Sequence, residues 1–354
     1  MKIGFDAKRA FLNNRGLGEY SRDLISCIDK KHEIFLFTPK QENWTYNIKH
    51  RIILPKYNNY LYKIYWRNKN LIKEIKKRKI NVYHGLSNEL PYGIHKLNIL
   101  KIVTIHDVTF KKHPYLFPVY QRLIYNKKTK YACKTADIII AVSKQTKSDI
   151  IKYYGVNSNK IKVIYQACDE IFFKEKNQNE IKKFQNNYKI PENYILYVGA
   201  IEKRKNIKII LEVIRNNNDL NLIIAGDGNH KNKKEIKKII NKYNINNNVF
   251  FLKNLNRKDL SILYKCAICL IQPSIDEGFG RPVAECLAGG NDVIASNLNV
   301  FKEIGGNDIK YFRNYNDIIK HIKEIKKKKE KNQMKSLNKF RYSFMQQKIN
   351  ELYK

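Results

Sequence analysis

Two glutamates flank a glycine-rich turn in the second half of the chain. They are Glu277 and Glu285, eight residues apart within the segment 273–285. An apolar run precedes this segment, and Pro282 suits the first turn of a helix, whose free N–H groups attract an anion. Glycines also let a ligand approach the backbone closely, so the pattern predicts a phosphate-binding turn between carboxylates that grip different parts of one ligand. The residues of the turn are Gly278, Phe279 and Gly280.

A second apolar run, 194–198, ends in a loop that carries two adjacent cations. The run leads through Gly199 to Arg204 and Lys205. Positive side chains near a helix start suit an anionic ligand, because the free N–H groups and the side chains attract it together. Since the chain is basic throughout, the alternative that both side chains simply face solvent stays open.

Polar residues also follow two apolar runs of the first half. Gly16 and Gly18 lie between the first predicted strand and the first predicted helix, a common place for a glycine loop in Rossmann-like domains. His106 and Asp107 follow a later run. A neutral imidazole can hydrogen-bond to a hydroxyl group, and the carboxylate beside it can fix local geometry. The alternative is a histidine that only packs at the end of a strand.

Short apolar runs alternate with amphipathic stretches almost from end to end, which predicts an α/β fold of parallel strands joined by helices. The predicted strands are 2–5, 34–37, 51–54, 81–84, 101–105, 138–142, 160–164, 194–198, 221–225, 249–252, 268–272 and 292–295. The predicted helices of the first half include 19–28, 71–79, 121–134 and 144–154. The tail, 316–354, is predicted to be helical and basic, with the charge run 326–329 on a solvated face.

The polar stretch 174–193, which contains Pro191, interrupts this alternation and is the predicted linker. We therefore expect two Rossmann-like doubly wound domains, 1–175 and 190–334, with a C-terminal helix, 335–354, that packs back on the first. Such sheets bind ligands at the carboxyl ends of their strands, so the expected active site is a cleft between the domains.

Taken together, these segments resemble the motifs of the retaining family-4 glycosyltransferases, which have the two-domain GT-B architecture. The segment 273–285 resembles the Glu-x7-Glu motif of that family, and 197–206 resembles its Val-Gly…Arg-Lys-Asn loop. The resemblance covers nearly the whole chain with the motifs in the family's order. The further matching segments are 6–20, 84–91, 104–110, 141–149, 222–228 and 340–344.

The resemblance implies a role for each matched residue. Glu277 would contact the donor sugar, and Glu285 would hold the ribose hydroxyls of the nucleotide. Lys205, and after it Arg204, would neutralise the diphosphate as it leaves, while His106 would approach the donor sugar and the acceptor. The remaining donor-binding positions are Gly16, Gly18, Gly199 and the turn of Gly278, Phe279 and Gly280.

The implied activity is transfer of a hexose from a nucleotide-diphosphate sugar to a glycan or lipid-linked acceptor, with retention, in surface polysaccharide or glycoconjugate synthesis. Sugar transferases that use a divalent ion commonly hold it with a close carboxylate pair, and no Asp-x-Asp occurs in this chain. We therefore expect no metal and no cofactor. Asp292 stands where family members usually carry proline, which puts the local packing in question.

The formal charge of +37, from 69 Lys and Arg against 32 Asp and Glu, predicts attraction to an anionic partner. A composition rich in Lys, Asn, Ile and Tyr, as an AT-rich genome produces, accounts for part of this charge. The segment 57–79 interleaves tyrosines and Trp66 with Lys and Arg. It predicts contact of the first domain with an anionic membrane surface, although a helix packed by its aromatics explains the pattern equally well.

The chain has no run of about 18 apolar residues and no signal-peptide pattern. We expect a cytoplasmic protein, or one attached peripherally to the cytoplasmic face of a membrane. Six scattered cysteines suit a reducing compartment, and the Cys266 and Cys269 pair is predicted to be buried rather than to bind zinc.

Two other readings of the chain remain open. The charge alone is compatible with a nucleic-acid-binding protein, but no recognisable binding module accompanies it, so nucleic acid is not the expected partner. A nucleotide-sugar epimerase or a phosphorylase on a similar two-domain frame is the nearer alternative, and product analysis separates these activities.

Overall fold

The computed structural model describes residues 1–42, 44, 50–327 and 337–353, with the backbone alone at 68 and 69. The chain divides into two units. The first comprises Met1–Ala167 together with Tyr342–Lys354, and the second comprises Cys168–Arg341. The predicted linker, 174–193, is wrong, because this stretch lies inside the second unit and contains a helix, Gln178–Tyr188.

The strands of the first unit are β1 (Lys2–Asp6), β2 (Glu33–Phe37), β3 (Arg51–Ile53), β4 (Val82–Gly85), β5 (Leu100–Ile105), β6 (Ile138–Ala141) and β7 (Ile161–Val163). Over its described residues, the unit forms one parallel sheet in the order β3-β2-β1-β4-β5-β6-β7. β4 is buried at every residue. Burial on both faces explains why these strands read as continuous apolar runs in the sequence.

The helices of the first unit are α1 (Lys8–Leu12), α2 (Gly16–Ser26), α3 (Tyr60–Tyr65), α4 (Leu71–Lys77), α5 (Thr109–Lys112), α6 (Val119–Thr135) and α7 (Lys144–Tyr154). A π-helical turn, Trp66–Asn70, joins α3 to α4. The bounds of α7 follow from its ends: the Ser143 hydroxyl accepts a hydrogen bond from Thr146 N at 2.9 Å, and Gly155 adopts a φ of 62°.

The strands of the second unit are β8 (Tyr194–Val198), β9 (Asn221–Ala225), β10 (Val249–Leu252), β11 (Leu270–Gln272), β12 (Val293–Ser296) and β13 (Ile309–Phe312). Among the residues described, they form a second parallel sheet in the order β10-β9-β8-β11-β12-β13. The predicted bounds of β8, β9 and β10 are confirmed, whereas β13 was missed. Together with the first sheet, this confirms an α/β protein with two Rossmann-like sheets.

The helices of the second unit are α8 (Gln178–Tyr188), α9 (Lys208–Arg215), α10 (His230–Lys242), α11 (Arg257–Cys266), α12 (Arg281–Ala288), α13 (Asn299–Gly305) and α14 (Tyr315–Lys327). One more helix, α15 (Tyr342–Leu352), belongs to the first unit. Of the predicted tail, residues 328–336 and 354 lie outside the described residues.

Each unit has its own apolar core. In the first, residues such as Tyr83, Val103 and Ile139 are fully buried between the sheet and its helices. In the second, Ile195, Leu222 and Ile271 are likewise fully buried. Across the part of the chain that the structure describes, no helix is both long and apolar enough to cross a membrane.

Candidate active site

Two loops of the second unit meet because the strands before them are neighbours in the sheet. β8 and β11 pair in parallel, so the loops that follow them leave the same edge. The backbone N–H of Ile275 donates to the Arg204 carbonyl at 2.9 Å and ties the loops together. Arg204 and Lys205 thus reach the glycine-rich turn although about 70 residues separate them from it in the sequence.

Glu277 is the centre of a buried cluster of charges and donors. Its carboxylate accepts hydrogen bonds from Lys205 Nζ, from Arg204 Nη1 at 3.2 Å and from Ser274 Oγ at 2.8 Å. Gln272 Nε2 lies 3.4 Å from the same carboxylate. Burial alone would raise the pKa of Glu277, but the charges of Lys205 and Arg204 outweigh it and hold this pKa at about 2. The carboxylate is therefore ionised at neutral pH.

Glu285 lies in α12 and is held by a different set of donors. Arg281, one helical turn earlier, donates from Nε to Oε1 at 2.7 Å. The buried Tyr264 hydroxyl donates to Oε2 at 3.2 Å. Burial, and then the charge of Glu285, raise the pKa of Tyr264, so this hydroxyl keeps its proton. These two donors set the orientation of Glu285.

The turn before α12 requires glycine at one position for two reasons. Gly280 caps the helix with a φ of 99°, which a residue with a side chain rarely adopts. A Cβ there would also lie only 2.5 Å from the Phe301 ring. The Phe279 side chain is buried and packs edge-on against the Phe340 ring, with centroids 5.6 Å apart. Phe279 thus contributes packing through its ring, while its backbone belongs to the turn.

Asp292 leaves the structure around α12 intact. Its backbone carbonyl accepts from Leu270 N at 2.9 Å, and β12 begins at the next residue. The turn before it closes through Asn291 N, which donates to the Cys286 carbonyl at 3.2 Å. The carboxylate at this position therefore disturbs neither β11 nor the helix that carries Glu285.

In the first unit, His106 follows β5 and is buried with a defined tautomer. Its Nε2 lies 2.9 Å from the Leu86 carbonyl, which can only accept, so Nε2 carries the proton. Nδ1 is then the acceptor, and Gln166 Nε2 lies 3.4 Å from it. Burial lowers the pKa of His106, although the Leu86 carbonyl acts in the opposite direction. The ring is neutral and offers a lone pair to a hydroxyl donor.

The backbone around His106 is fixed by side chains of neighbouring loops. Asn88, at a φ of 57°, accepts from His106 N at 2.9 Å and donates to the Asp107 carbonyl at 2.8 Å. The Asp107 carboxylate accepts from Thr109 N at 3.2 Å. Asp107 therefore fixes the local backbone, as its position suggested. Asn88 holds the backbone at His106 and Asp107, a role that the sequence did not indicate.

Gly16 and Gly18 lie in a helix and not in the predicted loop between a strand and a helix. The expected loop after β1 contains α1, and α2 already begins at Gly16, so both glycines lie in the first turn of a helix. Gly18 is required by packing, because a Cβ there would lie 1.6 Å from the Asn13 carbonyl oxygen. Gly16 is exposed, and a Cβ there would meet nothing within 4 Å.

A cluster of charges in the first unit was missed by sequence reasoning. Arg67 Nη2 lies 2.7 Å from Asp6 Oδ2 and 2.8 Å from Glu89 Oε1. Lys128 Nζ lies 2.5 Å from the other oxygen of Glu89. Burial would raise the pKa of Glu89, but Arg67 and Lys128 hold it at about 2. Asp6 and Glu89 lie in segments that the sequence analysis singled out, 6–20 and 84–91, but nothing in the sequence indicated that they meet at Arg67.

Known families match both units. Residues 14–170 match the family described as Glycosyltransferase Family 4, and residues 178–341 match the one described as Glycosyl transferases group 1. The chain belongs to the group 1 and family 4 glycosyltransferases. The resemblance inferred from the sequence motifs is confirmed.

Individual glycosyltransferases are related at moderate identity. The O-antigen chain mannosyltransferase RfbU of Salmonella typhimurium is 29% identical over 230 residues, which cover 63% of this chain and 61% of the relative. The O-antigen chain mannosyltransferase B of Escherichia coli is 25% identical over 231 residues, which cover 64% of this chain and 59% of the relative. The match thus spans about three fifths of each of these curated relatives.

Solved structures confirm the fold of this glycosyltransferase. Anabaena HepE, solved in complex with UDP and glucose, aligns with a TM-score of 0.78 over 99% of this chain and 98% of that one. The identity is 15%, so this likeness concerns the GT-B fold alone.

Metal-ligand groups were searched for over the described residues of the glycosyltransferase. No group of three or more His, Cys, Asp or Glu is placed there to hold a metal ion. Metal independence is a property of the reaction and stays a prediction.

Cys269 is buried, and burial raises the pKa of its thiol. Cys266 is partly buried, and both thiols are free of disulfides.

Proposed function

We propose that this glycosyltransferase moves a hexose from a nucleoside-diphosphate sugar to a glycan or lipid-linked acceptor, with retention and without a metal ion. The observation that carries the proposal is the buried cluster in which Lys205 and Arg204 meet an ionised Glu277. Charge of this density at the carboxyl ends of parallel strands suits an anionic ligand with polar groups.

The second unit is the proposed donor site. Lys205 and Arg204 stabilise the diphosphate as it gains negative charge, since an ammonium has three N–H donors and a guanidinium five. Each cation can therefore serve Glu277 and a phosphate oxygen at once. Glu285 accepts hydrogen bonds from the ribose hydroxyls, and the backbone of the Gly278–Gly280 turn approaches the phosphates.

The first unit is the proposed acceptor site, and His106 is its central residue. Nδ1 of the neutral imidazole is an acceptor, and its contact with Gln166 Nε2 is long at 3.4 Å, so a sugar hydroxyl can replace Gln166 as the donor to it. In the step we propose, the bond between the anomeric carbon and the phosphate oxygen breaks as the acceptor oxygen bonds to that carbon. The acceptor proton passes to the leaving phosphate, which avoids the need for a protein base.

Mannose in an O-antigen-type polysaccharide is the proposed sugar and product class. The support is that two related enzymes are O-antigen chain mannosyltransferases. A panel of UDP-glucose, UDP-galactose and GDP-mannose, screened by thermal stabilisation of the purified protein, identifies the donor. Release of nucleoside diphosphate with the same donor and a glycan acceptor then tests transfer. A protein that no nucleotide sugar stabilises or reacts with would refute the proposal.

An exposed apolar surface on the first unit supports the proposal of a lipid-linked acceptor. Two segments expose apolar side chains: Tyr60 and Leu61 in α3 are 77% exposed, and Leu123 in α6 is 65% exposed. Arg67, just beyond α3, and Lys128, just beyond Leu123, both contact Glu89, so the two segments flank one cluster. Trp66, by contrast, packs in the core, so only part of the aromatic pattern faces solvent.

Charge complementarity favours an anionic bilayer as the partner of this surface. The segments 56–79 and 111–134 contain many Lys and Arg residues and, of the acidic residues, only Glu74. Phosphatidylglycerol vesicles should sediment the protein at low salt, and phosphatidylcholine vesicles should not. Leu61→Ser with Leu123→Ser should weaken sedimentation, whereas Phe344→Ser, at another exposed apolar position, should not. Equal sedimentation with both lipids would exclude this surface.

A further inference from the structure

A line of buried polar side chains crosses the first unit from the end of α15 to α2. The Tyr353 hydroxyl lies 2.6 Å from His84 Nδ1, and His84 Nε2 lies 2.9 Å from Thr104 Oγ1. Thr104 Oγ1 in turn lies 3.1 Å from the Tyr20 hydroxyl. None of the four residues is more than 1% exposed. Buried polar groups of this kind are costly unless they are all satisfied, and here they satisfy one another.

The proton count of this line is consistent from end to end. Three hydroxyls and one neutral imidazole carry four protons, one more than the three hydrogen bonds need, so each of these bonds can have a donor. Burial, and then the nearby His106, lower the pKa of His84 to about 3, so the ring is neutral at physiological pH. Removal of one hydroxyl therefore leaves the next group in the line without its partner.

The line ends against the candidate catalytic histidine. The Tyr20 ring stands edge-on to the His106 imidazole, with centroids 4.7 Å apart and an interplanar angle of 88°. Thr104 lies in β5, and His106 directly follows the last residue of that strand. Because side chains alternate between the two faces of a sheet, residues two apart such as these point to the same face. The hydroxyl of Tyr20 is thus anchored to Thr104, and its ring limits how far the His106 imidazole can tilt.

We infer that Tyr353 is a positioning residue for His106, acting through His84, Thr104 and Tyr20. The inference rests on the proposed function for the role of His106. It assigns a part in the reaction to a residue 247 positions beyond that histidine in the sequence. Tyr353 touches neither donor nor acceptor in this account, since its effect passes through the buried line.

Tyr353→Phe is the test variant, because it removes the hydroxyl and keeps the ring that packs on Phe5. Tyr194→Phe is the matched control. Tyr194 is equally buried, and its hydroxyl donates to the Leu263 carbonyl at 2.8 Å in the second unit. The two variants lose comparable buried hydrogen bonds, so they separate a loss of stability from a loss of positioning.

The first readout needs no substrate. Full-length protein is labelled with ¹⁵N-histidine, and the ring signals of His106 are assigned with His106→Gln. Tyr353→Phe should shift the His106 ring signals, whereas Tyr194→Phe should leave them in place. Unchanged His106 signals in folded Tyr353→Phe would overturn the inference, whatever the activity of the protein proves to be.

The second readout is turnover with the donor that the nucleotide-sugar panel identifies. Tyr353→Phe should lower kcat by a smaller factor than His106→Gln does and leave the KM for the donor unchanged, because a misplaced group costs rate rather than binding. Tyr20→Phe combined with Tyr353→Phe should be no slower than Tyr20→Phe alone. An unchanged kcat, or losses that multiply in the double variant, would contradict a single line of positioning.

Discussion

The two units hold their candidate functional residues by different means. In the second, Glu277 is surrounded by charges that come from two adjacent loops. In the first, His106 is neutral and is held by carbonyl, amide and aromatic contacts from segments far apart in the sequence. The proposed roles account for this contrast, because a site for a diphosphate needs charge, whereas a site for a sugar hydroxyl needs orientation.

The difference also sets what a single substitution costs. Removing one partner of a buried ion pair leaves an uncompensated charge, which destabilises by about 3–5 kcal/mol. Removing one neutral hydrogen bond costs about 1 kcal/mol. The second unit should therefore be sensitive to charge, and the first unit to geometry.

The largest effect should come from Glu277→Gln, which keeps the shape of the side chain and removes its charge. We expect turnover to fall by about 10²–10³-fold, as when a group that stabilises transition-state charge is lost. Release of nucleoside diphosphate measures it. Glu235→Gln, which breaks a surface pair with Lys208, should stay close to wild type. Full activity in Glu277→Gln would remove the charge cluster from the mechanism.

Acid should destabilise the two units over different pH ranges. The folded-state pKa of His84 is about 3, below the ordinary value near 6.5, so its contribution to stability is full above pH 6.5 and declines as pH falls. At pH 5 the loss of folding free energy that results from His84 is about 2 kcal/mol. Glu277, with a folded-state pKa of about 2, begins to lose its contribution only as pH falls below about 4.5.

Hydrogen exchange followed by mass spectrometry, corrected for intrinsic rates, measures the loss of stability with falling pH for each unit separately. Between pH 7 and pH 5, we expect amides of β4 and β5 to lose protection and those of β8 and β11 to keep it. Equal loss in both sheets would mean that the buried histidines do not set the acid response.

A smaller effect is expected for His106→Gln. The variant removes one hydrogen bond to a substrate hydroxyl, so kcat should fall about tenfold while nucleotide binding stays unchanged. His321→Gln, in the second unit, is the control. If His106→Gln weakened nucleotide binding instead, the division between a donor unit and an acceptor unit would be wrong.

The candidate site of the second unit was easier to predict than that of the first. Its strands β8, β9 and β10 have the predicted bounds, because short apolar runs end at Gly199, Gly226 and polar residues after Leu252. The loop with Arg204 and the turn with Glu277 each lie within a few residues, so their chemistry was visible locally. Their contact followed from two strands that end at one sheet edge.

The predicted linker failed although a helix signal was present. Asn177 caps α8 by accepting from Glu180 N at 2.8 Å, which is an N-cap pattern that can be read from the sequence. The polar composition of the stretch outweighed that signal. α8 is amphipathic and buries only Phe184, so composition alone resembled that of a loop.

The neutral network of the first unit was not predictable from spacing. His84 and Tyr353 are 269 residues apart, and Tyr20 and Thr104 are 84 apart. No local pattern links such pairs, because their contact depends on the order of the strands and on α15 joining the first unit. The Asp6, Arg67 and Glu89 cluster was missed for the same reason.

Isothermal titration of UDP and GDP into wild type and Glu285→Ala tests the central claim, that the carboxylate-flanked turn of the second unit binds the donor nucleotide. Wild type should bind one of the two nucleotides, and Glu285→Ala should bind it at least about tenfold more weakly. Glu324→Ala, at an exposed pair with Lys310, should bind as wild type does. Equal affinity in wild type and Glu285→Ala would contradict the claim.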